Sequence, residues 1–430
     1  MNVVVFEDDA VDRLGDIVAM RPACDLSIGG HTLVEALAHL GTVRRVVRPH
    51  LARHLAAVRG RRIALWGGAS DPESWEPAHS RHGGLVLLVN ARTIPAPDVL
   101  AALRTLVEAG RRGILPAAAA STSADRDVAA ALLHVSPDGG GPDAAFLADL
   151  VARGPEATRS LEGLALPEHQ SALRLLALPH DVVTAHEGCF EAVLAARLLA
   201  GGHREIRPGL HVADTARVAE AVVVRRGPVV VEAGAEIGPF VCLDGPVWIG
   251  PDARVNPHAW LRGGTAVGRA CRVGGEVEQS VLEPYSNKPH DGFLGHSHVG
   301  SWVNLAAGTI TSNLKTSYGV IRSTGPRGPV DTGRQFLGTL VGDCVRTAIH
   351  TALPCGATIG VAATVGGSVP ARVPAFQSML AGGAGGGRTS VDQAATALGR
   401  MMSRRGLEPL AADRELLAAV AGSPWPPVGN

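Results

Sequence analysis

The stretch "VEAGAEIGPFVCLDGPVWIGPDARVNPHAWLRGGTAVGRACRV", residues 231–273, carries an aliphatic residue at every sixth position. The series consists of Val231, Ile237, Leu243, Ile249, Val255, Leu261, Val267 and Val273. A helix buries residues three and four apart, and a simple strand buries every second residue. Neither element explains a period of six, so the stretch indicates a different architecture.

A triangular β-solenoid explains this period, because each flat side uses about six residues and points one side chain into a narrow core. Gly238, Gly250 and Gly268 supply small residues for the turns. A β-sandwich is the alternative, but it predicts a period of two with irregular turns. The same spacing extends in both directions and predicts a solenoid core that includes Val212, Val218, Val224, Phe293, Val299, Leu305, Val341, Thr347, Leu353, Ile359 and Val365.

A different pattern precedes the repeats. The segments "NVVVF", "RIALWG" and "GLVLLVNAR" are typical of buried strands, while "HTLVEALAHL" and "APDVLAALRTLVEAG" are typical of helices. This alternation predicts an α/β, Rossmann-like domain, in which ligands bind beyond the carboxyl ends of the strands. Those ends would expose Glu7, Asp8, Asp9, Asn90 and Arg92.

The chain therefore divides into four parts. We predict an α/β domain over 1–185, a linking helix over 186–208, the β-solenoid over 209–381, and a glycine-rich hinge with C-terminal helices over 382–430. The expected apolar faces of the two C-terminal helices are Val391, Ala395, Leu398 and Met402, then Leu416, Leu417 and Val420, with Thr389 or Ser390 as a cap. We expect these helices to seal the end of the solenoid or to contact another subunit.

Composition excludes several classes of protein. The 430 residues contain 40 basic and 40 acidic side chains, so the overall charge favours neither nucleic acid nor an anionic membrane as a partner. No apolar run reaches the roughly 18 residues of a membrane span, and the acidic start "MNVVVFEDDAVDRL" does not resemble a signal peptide. We expect a cytoplasmic protein with six reduced, mostly buried cysteines, since no C-x-x-C pair occurs.

The whole chain resembles the bacterial proteins related to the bifunctional UDP-N-acetylglucosamine diphosphorylase and glucosamine-1-phosphate acetyltransferase, in a variant branch of sugar nucleotidyltransferases. The similarity runs through "FEDD", "MRPACDLSIGGHTLVEAL", "LLVNARTIP", "YSNKPHDGFLGHSHVGSWVNLAAGTITSNLK", "DTGRQFLGTLVGD" and "ALGRMMSRRGLEPLAADRELL". This resemblance implies a nucleotidyltransferase-like domain followed by a left-handed, hexapeptide-repeat β-helix that forms a homotrimer. It also implies sugar 1-phosphate, nucleoside triphosphate and acyl-CoA as ligands, with acetyl-CoA as the cosubstrate and Mg²⁺.

In the acetyltransferase relatives, "H-x-x-[YF]-L-G" followed by "V-N-[IL]-x-A-G-T" forms the acyl-transfer site, and these motifs fall here on 290–295 and 303–309. Attack of a sugar amine on a thioester creates a positive nitrogen that must lose a proton, and a neutral imidazole suits that task. The resemblance thus implies His290 as the base and the main-chain N–H of Ala307 as the oxyanion donor. Asn304 would bind the acceptor sugar or orient His290.

Further substrate contacts are implied around this motif. Lys288 would hold the sugar phosphate, Lys315 would add a second basic contact, and Phe293 stands where the relatives commonly have tyrosine. His290, His296 and His298 form an alternative metal-ligand set, although no cysteine or carboxylate pair accompanies them. We interpret His296 and His298 as solvated loop residues.

In the amino-terminal domain, "FEDDAVDRLGDIVAMRP" replaces the glycine-rich loop that holds the triphosphate in the relatives. Arg21 resembles the lysine of their Pro-Lys pair, and Arg13 would add a second phosphate contact. Asp8, Asp9 and Asn90 are the candidate magnesium ligands, because carboxylate and amide oxygens suit that ion. Capping and solubility explain the acidic residues equally well.

Three functions follow from these patterns. The first is an enzyme of activated-sugar synthesis that combines sugar-1-phosphate nucleotidyl transfer with acetyl-CoA-dependent acyl transfer to an amino-sugar phosphate. The second keeps one activity, with the β-helix acyltransferase favoured. The third is a non-catalytic oligomerising scaffold or regulatory subunit, because solenoids form rigid binding surfaces.

Overall fold

The structure is a computed structural model that describes residues 1–58, 84–118, 127–136, 141–169, 173–325, 328–380 and 386–423. The predicted strand "RIALWG" (62–67) and residues 381–385 of the predicted hinge lie outside these ranges. Within the described residues, no helix has the length and apolar character that a membrane span requires. The six cysteines are free, and four of them are buried, as the sequence predicts.

The amino-terminal domain contains one five-stranded sheet. Its strands are β1 (Asn2–Phe6), β2 (Thr42–Val46), β3 (Gly84–Asn90), β4 (Gly113–Pro116) and β5 (Val128–Val135), in the spatial order β2-β1-β3-β5-β4. β1 pairs in parallel with β2 and β3, whereas β5 is antiparallel to β3 and β4. The carboxyl ends of β1 and β3 therefore meet, which brings the residues that follow them together.

Helices pack on both faces of this sheet and confirm the predicted α/β fold. They are α1 (Leu33–Leu37), α2 (Pro49–Ala57), α3 (Pro97–Ala109) and α4 (Pro142–Arg153), with 3₁₀ segments at Asp9–Ile17, Ala23–Asp25 and Gly154–Leu164. The two layers contain separate apolar clusters, one around Val3, Val5 and Leu87 and the other around Val4 and Leu88. The central strand is thus buried on both faces, as expected for its continuous apolar run.

The second half of the chain is a parallel β-solenoid, as predicted. Its first face contains β7 (Leu210–Val212), β10 (Val229–Val231), β13 (Val247–Ile249), β16 (Thr265–Val267), β19 (Val281–Leu282), β22 (His298–Val299), β26 (Leu340–Val341), β29 (Thr358–Ile359) and β31 (Arg372–Val373), with β6 (Arg204–Arg207) antiparallel at one edge.

Two further faces complete the triangular coil. The second contains β8 (Arg217–Val218), β11 (Glu236–Ile237), β14 (Arg254–Val255), β17 (Arg272–Val273), β20 (Asn287–Lys288), β27 (Arg346–Thr347), β30 (Thr364–Val365) and β32 (Ser378–Met379). The third contains β9 (Val223–Arg226), β12 (Cys242–Asp244), β15 (Trp260–Leu261), β18 (Glu276–Glu278), β21 (Phe293–Gly295), β23 (Ile310–Thr311) and β28 (Ala352–Leu353). A hairpin of β24 (Arg322–Gly325) and β25 (Gly328–Asp331) interrupts the coils.

The predicted inward residues form one apolar core, with one exception. Val231 through Val273 are buried in a single cluster, and Thr347 occupies its predicted inward slot with 7% exposure. Phe293 was expected in this core, but Leu294 takes the position instead and pairs with Val277 of the preceding coil. The reason is a shortened corner between Leu294 and Val299, which are five positions apart rather than six, so that a count of six back from Val299 falls on Phe293.

Helix α5 (Asp181–Ala200) joins the two domains, whereas the linking helix was predicted over 186–208. Phe190 and Leu194 of α5 pack on Trp248 and Val230 of the first solenoid face. His186, also on α5, accepts a hydrogen bond from the N–H of Gly29 and contacts the carbonyl of Gly264 at 2.9 Å. These contacts attach the amino-terminal domain to the solenoid.

The C-terminal helices α6 (Val391–Ser403) and α7 (Ala411–Gly422) lie along one corner of the solenoid, whereas the sequence suggested its end or another subunit. Ser390 caps α6 through a capping box with Gln393. One apolar cluster combines their buried faces with Leu51 and Leu55 of α2 and with Tyr285, Trp302 and Phe376 of the corner. The helices therefore fill the junction between the two domains.

Asp16 provides a test of this junction by pH. Its carboxyl group is buried between the domains, accepts a hydrogen bond from the N–H of Val361, and has its pKa raised to about 7 by burial. Below about pH 4 the carboxyl is protonated in both the folded and the unfolded state, so its burial does not change the free energy of unfolding with pH. As the pH rises from about 4 through 7, the unfolded state loses this proton first, and the free energy of unfolding falls progressively.

We therefore expect Asp16→Asn to be more stable than the wild type at pH 8 by about 1–4 kcal/mol in free energy of unfolding, and no more stable near pH 4. Urea titrations across this range measure the difference. Asp12→Asn is the matched control, since Asp12 lies on the same 3₁₀ segment with a largely exposed side chain. A constant difference between wild type and Asp16→Asn at all pH values would contradict a titrating buried carboxyl.

Candidate acyl-transfer corner and the amino-terminal cluster

The predicted acyl-transfer residues lie on two stacked corners of adjacent coils. Asn287 bridges to Asn304 in parallel register, and the N–H of Gly308 donates to the carbonyl of Asp291 at 3.1 Å. In this register His290 and Ala307 occupy equivalent positions one coil apart, which is about 4.8 Å in a parallel sheet. We call residues 287–292 and 304–309 the His290 corner.

Lys288 supports this corner from the inside. Its side chain points into the solenoid, with 2% exposure, and Nζ donates to the carbonyls of Gly274 at 2.9 Å and His290 at 2.8 Å. Burial lowers its pKa to about 8, and Asp291 opposes that shift. Lys288 was predicted to hold the sugar phosphate, but in this conformation its donors fix the loop that carries His290.

The exposed groups of the corner are those that acyl transfer needs. The His290 side chain lies on the surface of the corner loop. Among the described residues, the N–H of Ala307 has no hydrogen-bond acceptor, although the neighbouring N–H groups of Ala306 and Gly308 are both used. Asn304 is half-buried, and its Oδ1 accepts from Asn287 at 3.4 Å. One free amide thus stands beside one exposed imidazole.

A histidine that the motif did not indicate lies on the same corner. The N–H of His350 donates to the carbonyl of Ala307 at 2.9 Å. A methyl group built on Gly308 would approach Nδ1 of His350 to 2.6 Å, so only glycine fits beneath this ring. His350 lies one coil after Ala307 and two coils after His290, and this position along the repeat is the sequence signal that could have found it.

Phe293 directly follows the His290 corner, whereas Lys315 lies away from it. Phe293 faces outward on the third face, with its ring over Gly295, where Asn313 also approaches. Lys315 donates through Nζ to the carbonyl of Val320, within the insertion that carries the β24–β25 hairpin. That contact stabilises the insertion itself, so the structure brings Phe293 but not Lys315 to the outward surface beside the motif.

The other two histidines of the motif are not solvated loop residues, which corrects that interpretation. His298 is fully buried and contacts Glu283 at 3.0 Å, because it begins a strand of the face that packs on the amino-terminal domain. His296 stacks on Phe336 and contacts Asn313 at 3.0 Å, and burial with Arg334 lowers its pKa to about 4. His290, His296 and His298 therefore have three different environments rather than one metal site.

Arg21 lies at the contact between the two domains. It is fully buried, with Nη1 2.9 Å from Glu283, Nη2 2.8 Å from Ser301, and a second ion pair to Asp343. Burial alone would lower its pKa, but Asp343 and Glu283 raise it above its ordinary value. In this conformation Arg21 is an interdomain contact, not the phosphate ligand that the sequence suggested, because no part of its guanidinium is exposed.

The residues beyond β1 and β3 form a second cluster of charge. Asp8 accepts from Arg92 at 2.8 and 2.6 Å and from Asn90 at 2.8 Å. Burial acts to raise the pKa of Asp8, but Arg92 and Asn90 bring it below its ordinary value. Arg92 also pairs with Asp127 at 2.7 Å. The sequence located the position of this cluster, but it did not reveal Asp127.

This arrangement does not fit the predicted magnesium site. Both oxygens of Asp8 are held by Arg92, Oδ1 of Asn90 accepts from the N–H of Arg92, and Asp9 pairs at the surface with Arg159. No group of three or more His, Cys, Asp or Glu side chains is positioned to hold a metal ion within the described residues. Arg13 is exposed on the same segment.

Residues 3–189 match the model of a family described as sugar nucleotidyl transferase. The chain is also 45% identical over 49 residues to the bifunctional protein GlmU of Rippkaea orientalis, which is 11% of each chain. It is 33% identical over 75 residues to a bifunctional sugar-1-phosphate nucleotidylyltransferase/acetyltransferase of Sulfurisphaera tokodaii, covering 17% of this chain and 19% of that one. The matches thus span under a fifth of either relative.

Solved structures similar to part of the chain include a mutant of the N-acyltransferase AntD of Bacillus cereus, in complex with dTDP and coenzyme A. It is 13% identical, covers 41% of this chain and 83% of its own, and has a TM-score of 0.22. The UDP-N-acetylglucosamine acyltransferase of Campylobacter jejuni is 11% identical, with a TM-score of 0.19. The similarity covers 48% of this chain and 94% of that one.

Proposed function

We propose that this chain is a transferase of activated-sugar synthesis, with a sugar-1-phosphate nucleotidyltransferase domain and a coenzyme-A-dependent acyltransferase solenoid. The observation that carries the acyl-transfer half is the pairing of an exposed imidazole at His290 with the free N–H of Ala307 on the next coil. The family match over 3–189 and the two bifunctional relatives support the other half.

The proposed acyl transfer uses each group of the His290 corner once. The amine of an amino-sugar phosphate attacks the thioester carbonyl of acetyl-CoA, and His290 accepts the proton that the nitrogen loses. The N–H of Ala307 donates to the oxyanion of the tetrahedral intermediate. The carbon–sulfur bond then breaks, the thiolate leaves and takes up a proton, and an amide remains. Asn304 orients the acceptor or His290, while Lys288 holds the loop.

The proposed nucleotidyl transfer joins a sugar 1-phosphate to the α-phosphorus of a nucleoside triphosphate and releases pyrophosphate. Asp8, Asn90, Arg92 and Asp127 mark the ligand-binding edge of the sheet. Arg13 remains the candidate phosphate contact on this domain. Because Asp8 is already held by Arg92, we propose that magnesium arrives bound to the triphosphate.

A second candidate keeps only the acyltransferase. Two observations favour it: the Arg21 side chain is enclosed between the domains, and the Asp8 carboxylate is neutralised by Arg92. Such a protein would use its amino-terminal domain to present substrate to the solenoid, or for stability.

One experiment separates these proposals. The purified protein is incubated with a panel of sugar 1-phosphates, nucleoside triphosphates and acetyl-CoA, and pyrophosphate and free thiol are followed in separate channels. The bifunctional proposal requires both products, each with its own acceptor. Thiol without pyrophosphate, with no nucleotide bound in calorimetry, would leave the acyltransferase alone.

We also propose a homotrimer, because the third solenoid face carries exposed apolar side chains beside the His290 corner. In one outward column of this face, Val223 (54% exposed), Trp260, Phe293 and Ile310 (49% exposed) are interrupted only by Cys242 and Glu276. Light scattering should give three times the 44.3 kDa chain mass.

Replacing two residues of this column, Val223→Asp with Ile310→Asp, should dissociate the trimer at micromolar concentration, since burying two carboxylates in an apolar contact is unfavourable. Leu199→Asp is the matched control, because Leu199 is 89% exposed on α5. A wild-type monomer, or equal effects of both changes, would contradict a contact through this face.

A further inference from the structure

One outward column of the solenoid is rich in arginine. Successive coils of the second face place one residue above another in register, in the order Arg217, Glu236, Arg254, Arg272, Asn287, Asn304, Arg346, Thr364 and Ser378. Glu236 pairs with Arg217 and lies 3.7 Å from Arg254. From Arg272 onward the column contains no acidic residue, so its positive charge is uncompensated within the column.

A further arginine reaches this column from the C-terminal region. Arg405, in the turn after α6, donates through Nη2 to Oδ1 of Asn287 at 2.6 Å. Burial and the nearby guanidinium groups of Arg272, Arg404 and Arg254 lower the pKa of Arg405. The largest electrostatic influence on it is thus another arginine, Arg272. Neighbouring like charges destabilise a fold, and a bound anion would relieve that repulsion.

The donors of this cluster are also incompletely used. Among the described residues, Nε of Arg272 and Nε of Arg346 are buried without a hydrogen-bond acceptor. Arg21 and Arg197 also have an Nε without an acceptor, but both pair with a carboxylate, and no such pair involves Arg272 or Arg346 within the described residues. Unused buried donors cost free energy, so their presence on both sides of Asn287 and Asn304 indicates a missing acceptor.

We propose that Arg254, Arg272 and Arg405, together with Asn287, bind the phosphate groups of an anionic ligand, with a diphosphate as the preferred chemistry. Guanidinium groups match phosphate oxygens in bidentate fashion, and several of them together favour a multiply charged anion over a monoanion. Asn287 of this site lies on the same coil as His290, three residues before it. This inference concerns binding and goes beyond the proposed reactions, so it is testable without any turnover.

Calorimetry with inorganic pyrophosphate tests the site. We expect wild-type binding that weakens as the salt concentration rises, and about ten- to a hundredfold weaker binding in Arg272→Gln and in Arg405→Gln, as for the loss of a charged hydrogen bond. Arg217→Gln is the matched control, because Arg217 lies in the same column but pairs with Glu236. It should bind pyrophosphate as the wild type does.

Two further arms identify the source of the phosphate. Coenzyme A and a sugar 1-phosphate are each tested as competitors of pyrophosphate, and the one that competes in the wild type but not in Arg272→Gln supplies the group. Competition by neither, with pyrophosphate binding intact, assigns the site to free diphosphate. Each of these results supports the site.

Thermal melts in phosphate-free buffer exclude misfolding as the cause. Arg272→Gln should melt no lower than the wild type, because it relieves repulsion, and it should lose the stabilisation that pyrophosphate gives the wild type. The proposal is overturned if the wild type binds no pyrophosphate at millimolar concentration. It is equally overturned if Arg272→Gln and Arg405→Gln both bind within twofold of the wild type, or if Arg217→Gln loses as much affinity as they do.

Discussion

Replacing His290 with alanine should reduce the rate of thiol release from acetyl-CoA by about 10²–10⁴-fold, the usual contribution of a positioned general base. The imidazole is exposed, and the loop beneath it is held by Lys288 rather than by the histidine side chain. We therefore expect the free energy of unfolding to change by less than about 1 kcal/mol. Steady-state kinetics and urea titration measure the two effects.

The pH profile distinguishes a base from a structural side chain. Wild-type activity should fall on acidification as an imidazole becomes protonated, and the residual rate of His290→Ala should lack this acid limb. His258→Ala is the matched control, because His258 is also an exposed histidine at a solenoid corner, stacked on Phe240. Near-normal rates in His290→Ala, or loss of activity together with unfolding, would exclude the general-base role.

Replacing Arg21 with methionine should destabilise the fold by about 3–5 kcal/mol, the second large effect that we expect. Removing one member of a buried ion pair leaves the others charged without compensation, and here two carboxylates, Glu283 and Asp343, would be left. Burial acts to raise the pKa of Glu283, and Arg21, His298 and the N–H of Ser27 together bring it below its ordinary value. Urea titration of the intact chain measures the loss.

A triple variant that also carries Glu283→Gln and Asp343→Asn should recover part of this stability, because it removes the unpaired charges. Arg159→Met is the matched control, since Arg159 pairs with Asp9 at the exposed surface, and it should leave the unfolding midpoint unchanged. An Arg21→Met protein that unfolds at the wild-type midpoint would show that the two domains do not depend on this cluster.

The sequence was sufficient for the architecture because the solenoid core is periodic. Each inward position is set by its own coil, so Val231 to Val273 could be located without any long-range information. The prediction was wrong at Phe293, where a shortened corner moves Leu294 into the core. A change in corner length alters the period without a local signal in the neighbouring residues.

The charged side chains were harder to place, because their partners lie far away in the chain. Arg21 and Asp343 are 322 positions apart, and nothing near Arg21 indicates that a solenoid carboxylate neutralises it. Lys288 looked like a phosphate contact, yet it occupies an inward slot and donates to main-chain carbonyls. His298 was misinterpreted for the same reason, since its burial depends on how the amino-terminal domain packs on the first face.

The most direct test of the central claim is the release of free thiol from acetyl-CoA by the wild-type protein, measured with and without each member of a panel of amino-sugar phosphates. If the His290 corner transfers acyl groups, at least one acceptor should raise thiol release well above the acceptor-free rate, with one amide formed for each thiol. Thiol release that no acceptor raises above the rate in buffer, from protein that is folded and oligomeric, would contradict an acyltransferase solenoid.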